Sequence, residues 1–262
     1  MLIGMAIMPH GNEAVYPPDE ESKELNKALR EIGSQLKEAE TYVLISPHNV
    51  RLSDHLGIIM AEHLIPWLPF NDVEVPVEGE YETDRELAEL IFKETKENFP
   101  IVDINFATLR GRYSRFPLTW GEIIPLHFLE KRQIVLLTPA KIERETLIKF
   151  GKALARILNN YERKVALVIS ADHGHAHDEK GPYGYAKESE EYDKIIVEAL
   201  KNSNLEMLLE LDDEFIAKAK PDSYWSLLIG LGVLKEIPMK SSLVTYACPT
   251  YYGMASALFT KT

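Results

Sequence analysis

The sequence predicts an α/β fold in which a central mixed β-sheet is flanked by helices. Short runs of apolar, mostly β-branched residues alternate with longer segments whose apolar residues recur at helical spacing. Several of the short runs contain no polar residue, which is typical of strands that are covered on both faces. The length of 262 residues and the apolar content of 45% predict a single domain over residues 1–262.

The apolar runs predict strands, and the helical periodicity predicts helices. The predicted strands are residues 2–8, 42–45, 56–60, 73–77, 101–106, 134–138, 165–169, 243–248 and 254–260. The predicted helices are residues 19–39, 83–98, 142–161, 188–202, 205–219 and 222–234. Residues 67–70 read as an apolar loop that walls a pocket. Residues 107–124 have no clear period and predict a long basic and aromatic loop.

Three of the predicted strands lead directly into histidines. His10 follows the first strand, His48 follows the second, and the segment SADHGHAH at residues 170–177 follows the strand at 165–169. In sheets flanked by helices, chemistry gathers beyond the carboxyl ends of the strands, so we expect these histidines to meet there. A proline precedes both His10 and His48 and restricts the backbone, which suits side chains that must be held in place.

Three kinds of site could contain these histidines. A hydrolase triad needs an exposed nucleophile, but Ser46 and Ser170 lack the nucleophile-elbow pattern and Cys248 has no flanking signature. A structural zinc site usually has close Cys or His pairs, whereas Cys248 stands alone. A metal held by two histidines and one carboxylate fits better. This donor set favours a non-heme Fe(II) centre, although Zn or Mn would also be held.

The amino-acid composition limits the classes of binding partner and the cellular compartment that we expect for the protein. The net charge of −12 argues against nucleic acid and anionic membrane as main partners. The sequence contains no run of about 18 apolar residues, so it predicts no membrane-spanning helix. The apolar amino terminus lacks a basic region before it and reads as a first strand, not as a signal peptide. Cys248 is the only cysteine, which excludes an internal disulfide and predicts a reducing, cytoplasmic location.

The order of these motifs resembles a known family. Pro-His after the first strand, Ser-Pro-His after the second, and the spacing of Ser170, Asp172 and His175 after a later strand are similar to the class III extradiol ring-cleavage dioxygenases. That family includes protocatechuate 4,5-dioxygenase catalytic subunits and the related Memo-type proteins. Residues 121–126 (GEIIPL) resemble the family's G-x-x-x-P-L stretch. The resemblance spans nearly the whole chain.

The resemblance implies a class III extradiol dioxygenase-like fold and an enzyme that opens the ring of a catechol-type aromatic substrate with O2. It implies that His10 and His48 bind the metal and that His175 is the catalytic acid–base. The dioxygenases take their third ligand from a Glu just before the helix ahead of the carboxyl-terminal strands. The matching residues 219–232 contain no Glu, so we assign this ligand to Asp222, with Glu214 as second choice.

Other residues receive supporting roles. We expect Asp172 or His173 to act in catalysis by orienting His175, as groups behind a catalytic side chain do. We expect Arg112 or Arg115 to pair with a substrate carboxylate, because arginine binds carboxylates through two parallel hydrogen bonds. Asn49 and Trp120 are further predicted substrate contacts. The remaining histidines outside the motifs are predicted to be structural: His55, His63 and His127.

Two departures from the family pattern keep an alternative open. Many members carry Asp-His before the conserved glycine, where this chain has Thr119 and Trp120, so a second acid–base histidine is missing. Memo-type proteins have a late cysteine near the metal, but the context of Cys248 differs and predicts a small buried residue in a strand. The alternative is a non-catalytic, Memo-like protein that binds a metal or a partner. A zinc-dependent hydrolase is a third reading, and a homo-oligomer stays open.

Overall fold

The computed structural model of the chain describes residues 1–68, 75–76 and 79–261. Its strands are β1 (Leu2–Met8), β2 (Thr41–Ile45), β3 (Leu56–Ile59), β4 (His63–Pro66), β5 (Tyr81–Glu82), β6 (Ile101–Ile104), β7 (Arg115–Leu118), β8 (Gln133–Thr138), β9 (Val165–Ser170), β10 (Lys240–Ala247) and β11 (Met254–Thr260). Its α-helices are α1 (Glu20–Gln35), α2 (Arg85–Thr95), α3 (Trp120–His127), α4 (Arg144–Asn160), α5 (Lys187–Lys201), α6 (Asp213–Ala219) and α7 (Tyr224–Glu236).

The main sheet has the order β10-β11-β1-β9-β2-β8-β3-β6. Strands β1, β9, β2 and β8 run parallel, while β11 pairs antiparallel with β1 and β3 pairs antiparallel with β8. A small second sheet has the order β5-β4-β7. The predicted α/β class with a central mixed sheet is therefore confirmed. Among the described residues, no helix is both long and apolar enough to cross a membrane.

Each face of the main sheet carries its own apolar core. In β1, Met5 and Ile7 face the core that includes α2, α4, α5 and α7, whereas Ala6 and Met8 face the core that includes α1 and α3. Side chains of a strand alternate between the two faces, so a strand that is apolar at every position must be covered on both sides. This double cover explains why the middle residues of the central strands are apolar, with polar residues such as Thr41, Gln133 and Ser170 confined to strand ends.

Several predicted element boundaries were wrong. Residues 205–219 are not one helix: a 3₁₀ helix (Leu205–Glu210) precedes α6, and the Asp212 carboxylate caps α6 by accepting a hydrogen bond from the Phe215 amide at 2.8 Å. Helix α7 begins at Tyr224, so Asp222 lies before the helix. Residues 107–124, predicted to be a loop, contain β7 and the first turns of α3.

The short elements escaped prediction because few residues define them. Strands β4, β5 and β7 have two to four residues each, too few to show a period. Helix α3 has eight residues, including Pro125, which breaks a helical pattern. The predicted strand at residues 73–77 and the predicted apolar loop at 67–70 extend outside the described residues.

Two glycines bring α4 and α7 into backbone contact. A Cβ atom on Gly232 would lie 2.1 Å from the Ile148 carbonyl oxygen, and one on Gly151 would lie 2.1 Å from the Ile229 carbonyl oxygen. No real Cβ tolerates such a distance, so the two helices approach closely only because both positions are glycine. This contact fixes α7, which begins at Tyr224, two residues after Asp222.

We expect Gly232→Ala to destabilise the protein by about 1–3 kcal/mol, because the added methyl group must push α7 away from α4. Urea unfolding followed by circular dichroism measures this loss. Lys149→Ala, on the exposed face of α4, is the control and should change stability by less than about 0.5 kcal/mol. Equal stability of the two variants would show that the helix contact is not tight.

Candidate metal centre

The predicted histidines meet at one edge of the main sheet. His10, His48 and His175 follow β1, β2 and β9, and these strands are parallel neighbours in the order β1-β9-β2. Parallel neighbours end at the same edge, so residues that are far apart in sequence come together there. The arrangement agrees with the expectation drawn from the three strand–histidine motifs.

The histidines converge on one oxygen atom of Asp222. The distance from Asp222 Oδ2 is 2.9 Å to His10 Nε2, 3.0 Å to His48 Nε2 and 3.7 Å to His175 Nε2. Donor atoms of His10, His48 and Asp222 all lie within 4.8 Å of one another. Two imidazole nitrogens and one carboxylate oxygen that face a common point form a donor set suited to a divalent metal.

Backbone hydrogen bonds hold Asp222 beside the segment that follows β9. The Asp172 amide donates to Asp222 Oδ1 at 3.0 Å, and the Ser223 amide donates to the Asp172 carbonyl oxygen at 3.1 Å. The His175 amide donates to the Ala219 carbonyl oxygen at 3.0 Å. Residues 172–175 and 219–223 are thus joined side by side, which places Asp222 within reach of histidines that precede it by up to 212 positions.

Ser170 sets the orientation of the His10 ring. The Ser170 hydroxyl donates to the Gly121 carbonyl oxygen, so its own oxygen is free to accept from His10 Nδ1 at 2.8 Å. A proton on Nδ1 leaves Nε2, the atom that faces Asp222, with a lone pair whenever His10 is neutral. Hydrogen bonds of this kind commonly fix the tautomer of a metal-binding histidine.

Burial and charge oppose each other at the centre. Burial disfavours a charged His10, but the Asp172 and Asp222 carboxylates outweigh it and raise the pKa of His10 to about 9. Burial would likewise raise the pKa of Asp222, but the His10 charge and the hydrogen bonds from His10 and His48 hold that pKa well below its usual range. Burial, reinforced by the protonated His10, lowers the pKa of His48. Burial raises the pKa of Asp172.

His175 is held in place by the backbone of its own segment. Its Nδ1 donates to the His173 carbonyl oxygen at 2.6 Å, so Nε2 faces Asp222. Its ring stacks on Tyr252 with a centroid distance of 5.6 Å and an interplanar angle of 27°. A fixed ring with one nitrogen open toward the centre has the geometry that a proton-transfer group needs.

The other predicted catalytic residues, His173 and Asp172, are more deeply buried than His175. The His173 side chain is fully buried, with Nδ1 3.0 Å from Ser223 Oγ, and burial lowers its pKa to about 4. A neutral imidazole away from the cavity is poorly placed to move protons, and His173 contributes its backbone carbonyl instead. Asp172 accepts from the His10 amide at 3.0 Å and lies 3.4 Å from His10 Nε2.

The predicted substrate-binding residues divide into two groups. Trp120 lies beside the centre, with its ring centroid 4.9 Å from that of His48. Asn49 donates to the buried Glu122 carboxylate at 3.3 Å. Arg112 instead covers the Tyr113 ring at 4.6 Å, and Arg115 pairs with Glu80. The structure does not bring the two arginines to the histidines, because β7 places this segment on the second sheet.

A cavity of about 690 Å³ opens onto the centre. His48, His175 and Asp222 line its floor, and apolar side chains such as Ile216 and Trp225 line its walls. A volume of this size accommodates a small organic molecule. The centre is therefore accessible to a substrate rather than sealed inside the core.

Comparison with known proteins agrees with this geometry. Residues 4–259 match the family described as the catalytic LigB subunit of aromatic ring-opening dioxygenase. The chain belongs to this family. The resemblance inferred from the strand–histidine motifs is thereby confirmed. Enzymes of the LigB family are metal-dependent, and His10, His48 and Asp222 offer this member a metal site.

Two individual proteins resemble this LigB-family chain. Protein CA_C1420 of Clostridium acetobutylicum is 25% identical over 259 residues. The match covers 94% of this chain but only 54% of that protein, so the chain spans about half the length of the curated relative. The crystal structure of uncharacterized protein JW3007 from Escherichia coli K12 matches with a TM-score of 0.65 at 14% identity, covering 98% of this chain and 99% of that one. This second likeness shows the shared fold.

Glu122 is a buried group whose role the sequence did not reveal. Its carboxylate accepts from the Thr119 amide at 2.6 Å, and burial raises its pKa. Thr119 Oγ1 also donates to the His48 carbonyl oxygen at 2.6 Å, which joins the start of α3 to the His48 loop. Gly121 permits this contact, because a Cβ there would lie 2.7 Å from His48 Cβ. The spacing Thr-x-x-Glu was the available signal, since it is a capping box.

A second cluster, also missed, supports the segment between His173 and His175. Asp193 Oδ1 accepts from the Gly174 amide at 2.7 Å, while its Oδ2 contacts His177 Nε2 at 2.8 Å and the Tyr246 hydroxyl at 2.7 Å. Cys248 is half-buried beyond the end of β10 and interacts with His177, so it is not the buried strand residue that was predicted. The Asp193 carboxylate thus anchors the loop that carries His175.

We expect metal binding to release about one proton at pH 7. His10 has a pKa of about 9 in the metal-free protein, so it is charged at pH 7 and must lose its proton to bind a metal. The apparent affinity should rise about tenfold per pH unit from pH 7 and level off near pH 9. Zn²⁺ titration calorimetry at pH 7, in two buffers of different ionisation enthalpy, measures the released proton. Binding without proton release would contradict the charge assigned to His10.

We expect the His177–Asp193 pair to stabilise the fold below alkaline pH. Burial opposes a charge on His177, but Asp193 and Cys248 outweigh it and raise the pKa of His177 to about 10. Because this pKa exceeds the unfolded value of about 6.5, the stabilisation is complete below pH 6.5 and is lost as the pH rises to about 10. His177→Gln should remove this part of the pH dependence of the unfolding free energy, while His55→Gln, at an exposed site, should not.

Proposed function

We propose that this protein is a non-heme metal-dependent dioxygenase that opens the ring of a catechol-type aromatic substrate with O2. The observation that supports the proposal most strongly is the convergence of His10, His48 and Asp222 within 4.8 Å, beside His175 and below an open cavity. Membership of the LigB family supports the same chemistry.

His10, His48 and Asp222 would hold the metal. Their two nitrogens and one carboxylate oxygen suit Fe(II), which we propose as the native ion, and they would also hold Zn or Mn. The bound metal would lower the pKa of the coordinated diol and supply the redox activity that a reaction with O2 requires. Asp222 stays ionised because its pKa lies well below its usual range, so its oxygen is available as a ligand at every physiological pH.

His175 would accept and return protons at Nε2. Its Nδ1 is committed to the His173 carbonyl oxygen, so Nε2 is the nitrogen that meets a substrate in the cavity. Imidazole exchanges protons near neutral pH, which suits a group that acts first as base and then as acid. Asp172 would hold His10 and Asp222 in their relative positions, because its carboxylate accepts from the His10 amide and its own amide donates to Asp222.

The cavity walls would position the aromatic ring. Trp225 and Tyr183 lie along the cavity together with aliphatic side chains, and these surfaces would exclude water from the reacting ring. Trp120 packs against His48 at 4.9 Å and would restrict the motion of that ligand. The chain's own contribution is therefore orientation, exclusion of water and proton transfer.

A non-catalytic protein that binds a metal or a partner on the same scaffold is the second candidate. The observation that favours it is the small number of histidines at the cavity. Among the described residues that line the cavity, only His48 and His175 are histidines. Trp120, at the place of the second acid–base histidine in many family members, packs its ring 4.9 Å from the His48 ring, and an indole does not act as an acid–base group. With one acid–base group, proton transfer to both oxygens of a diol would depend on His175 alone.

Three finer assignments belong to the same proposal. We propose that residues 1–262 act as one domain, which the family match over residues 4–259 supports. We propose a cytoplasmic location, which the single free cysteine supports. We also propose a role in the breakdown of aromatic compounds, with a small aromatic molecule and O2 as the substrates.

We expect the Fe(II)-loaded protein to convert at least one catechol to a yellow, ring-opened product in the presence of O2. His175→Ala should lower kcat by about 10² to 10⁴ while it binds the same amount of iron, because it removes proton transfer and no ligand. Absorbance spectroscopy after anaerobic loading measures the product, and metal analysis measures the iron. His55→Ala, at an exposed histidine outside the cavity, is the matched control.

The outcomes separate the candidates. Stoichiometric metal without product from any catechol would favour the binding protein. Absence of metal binding under all conditions would refute the dioxygenase and a metal-binding protein, because both depend on the site formed by His10, His48 and Asp222.

A further inference from the structure

The turn between β10 and β11 runs beside the segment that carries His175. Three backbone hydrogen bonds join the two: from the Gly253 amide to the Gly174 carbonyl oxygen at 3.0 Å, from the His173 amide to the Gly253 carbonyl oxygen at 2.8 Å, and from the His177 amide to the Tyr251 carbonyl oxygen at 3.2 Å. Because these bonds lie on both sides of His175 and Tyr252, the two residues face each other across the paired segments. Opposed residues of antiparallel segments bring their side chains together.

The Tyr252 ring supplies a constraint on His175 that the backbone does not. The hydrogen bond from Nδ1 to the His173 carbonyl oxygen fixes one atom of the imidazole but leaves the tilt of its plane free. Tyr252 lies nearly parallel to that plane, at an interplanar angle of 27°, with the ring centroids 5.6 Å apart. Aromatic rings at such a distance attract each other. The stacked ring therefore sets the tilt of His175 and with it the direction of Nε2.

The hydroxyl of Tyr252 is anchored at the loop that follows His10. It donates to Glu13 Oε2 at 2.5 Å, and Glu13 lies in the short 3₁₀ helix after that loop. Gly11 leaves room for the tyrosine, because a Cβ at this position would lie 2.5 Å from Tyr252 Cε2. A phenylalanine could stack on His175 equally well. What the hydroxyl adds is a connection between the stacked ring and the loop of a metal ligand.

We propose that Tyr252 is a positioning residue for His175: its ring sets the tilt of the imidazole, and its bond to Glu13 ties that tilt to the loop after His10. This inference rests on the proposed function, because it takes His175 as the group that transfers protons. Tyr252 is not among the described residues that line the cavity, so it acts through His175 and not by contact with a substrate. A displacement of about 1 Å in a reacting group can cost about 10²-fold in rate.

A double-mutant cycle separates this role from a general effect on the fold. In the Fe(II)-loaded protein, Tyr252→Leu should lower kcat about tenfold to a hundredfold, with unchanged iron content and a KM that changes less than about twofold. Tyr252→Phe should lose less than about fivefold, because the stacked ring remains. In the His175→Ala background, Tyr252→Leu should cause no further loss, since residues that act as a unit are not additive. An equal loss with and without His175 would overturn the proposal.

Variants of Glu13 test the anchor. Glu13→Ala should match Tyr252→Phe, and the two together should cost no more than either alone, because both break the same hydrogen bond. Glu13→Gln keeps an acceptor oxygen and should restore most of the rate. Tyr113→Leu, the same substitution as Tyr252→Leu at an exposed tyrosine, is the matched control and should leave kcat unchanged. A summed loss in the double variant would overturn the anchor.

Nuclear magnetic resonance of the metal-free protein tests the geometry without any reaction. With isotope-labelled histidine, the ring signal that is missing from His175→Ala belongs to His175. Tyr252→Leu should move this signal downfield, because the face of a stacked aromatic ring shields its neighbour, whereas Tyr252→Phe and Tyr113→Leu should leave it nearly in place.

The resonance and the catechol assay can fail separately. A His175 signal that does not move in Tyr252→Leu would overturn the proposal even if catechols are cleaved. A signal that moves in Tyr252→Leu and stays in Tyr252→Phe would establish that Tyr252 orients His175 even if no catechol is cleaved, and in that case only the proposed function fails.

Discussion

One carboxylate oxygen, Asp222 Oδ2, is the point on which the centre depends. Three histidine rings from three strand ends are directed at it, and the other oxygen of the same group accepts from the Asp172 amide. A buried carboxylate is costly unless its hydrogen bonds and charge are matched. Here the matching groups are the same ones that would bind a metal, so the demands of folding and of metal binding coincide.

The sheet provides the stiffness that this arrangement needs. Strands β1, β9 and β2 are buried on both faces and lie side by side, so their ends cannot shift independently. Behind them, Ser170 fixes the His10 ring, Thr119 holds the His48 loop, and Asp193 anchors the loop before His175. Each functional histidine therefore has a separate support, and none of these supports faces the cavity.

Long elements and sheet-edge motifs were predictable, whereas short elements and distant contacts were not. The buried strands before His10 and His48 have strong local patterns, and the LigB-family motifs added the expectation for Asp222. Strand β7 and the start of α3 were missed because pairing with β4 and the Thr119 capping box stabilise them, and neither shows a period. Arg112 and Arg115 were predicted to bind substrate from their charge and their position in a loop, but pairing of β7 with β4 keeps both away from the cavity.

The hydrogen bonds between residues 172–175 and 219–223 also separate the residues of the centre from a stretch whose sequence can vary. Between these joined segments, residues 178–218 make an excursion that contains α5 and most of α6. It contributes Tyr183, Asp213, Ile216 and Ala217 to the cavity lining, but none of the histidines or carboxylates of the centre. Because the join closes the excursion at its base, the exposed residues of this stretch can diverge in sequence, provided that Asp193 and the core residues of α5 are kept. A lineage could thus acquire new substrates by altering one peripheral stretch while the reactive floor is inherited intact.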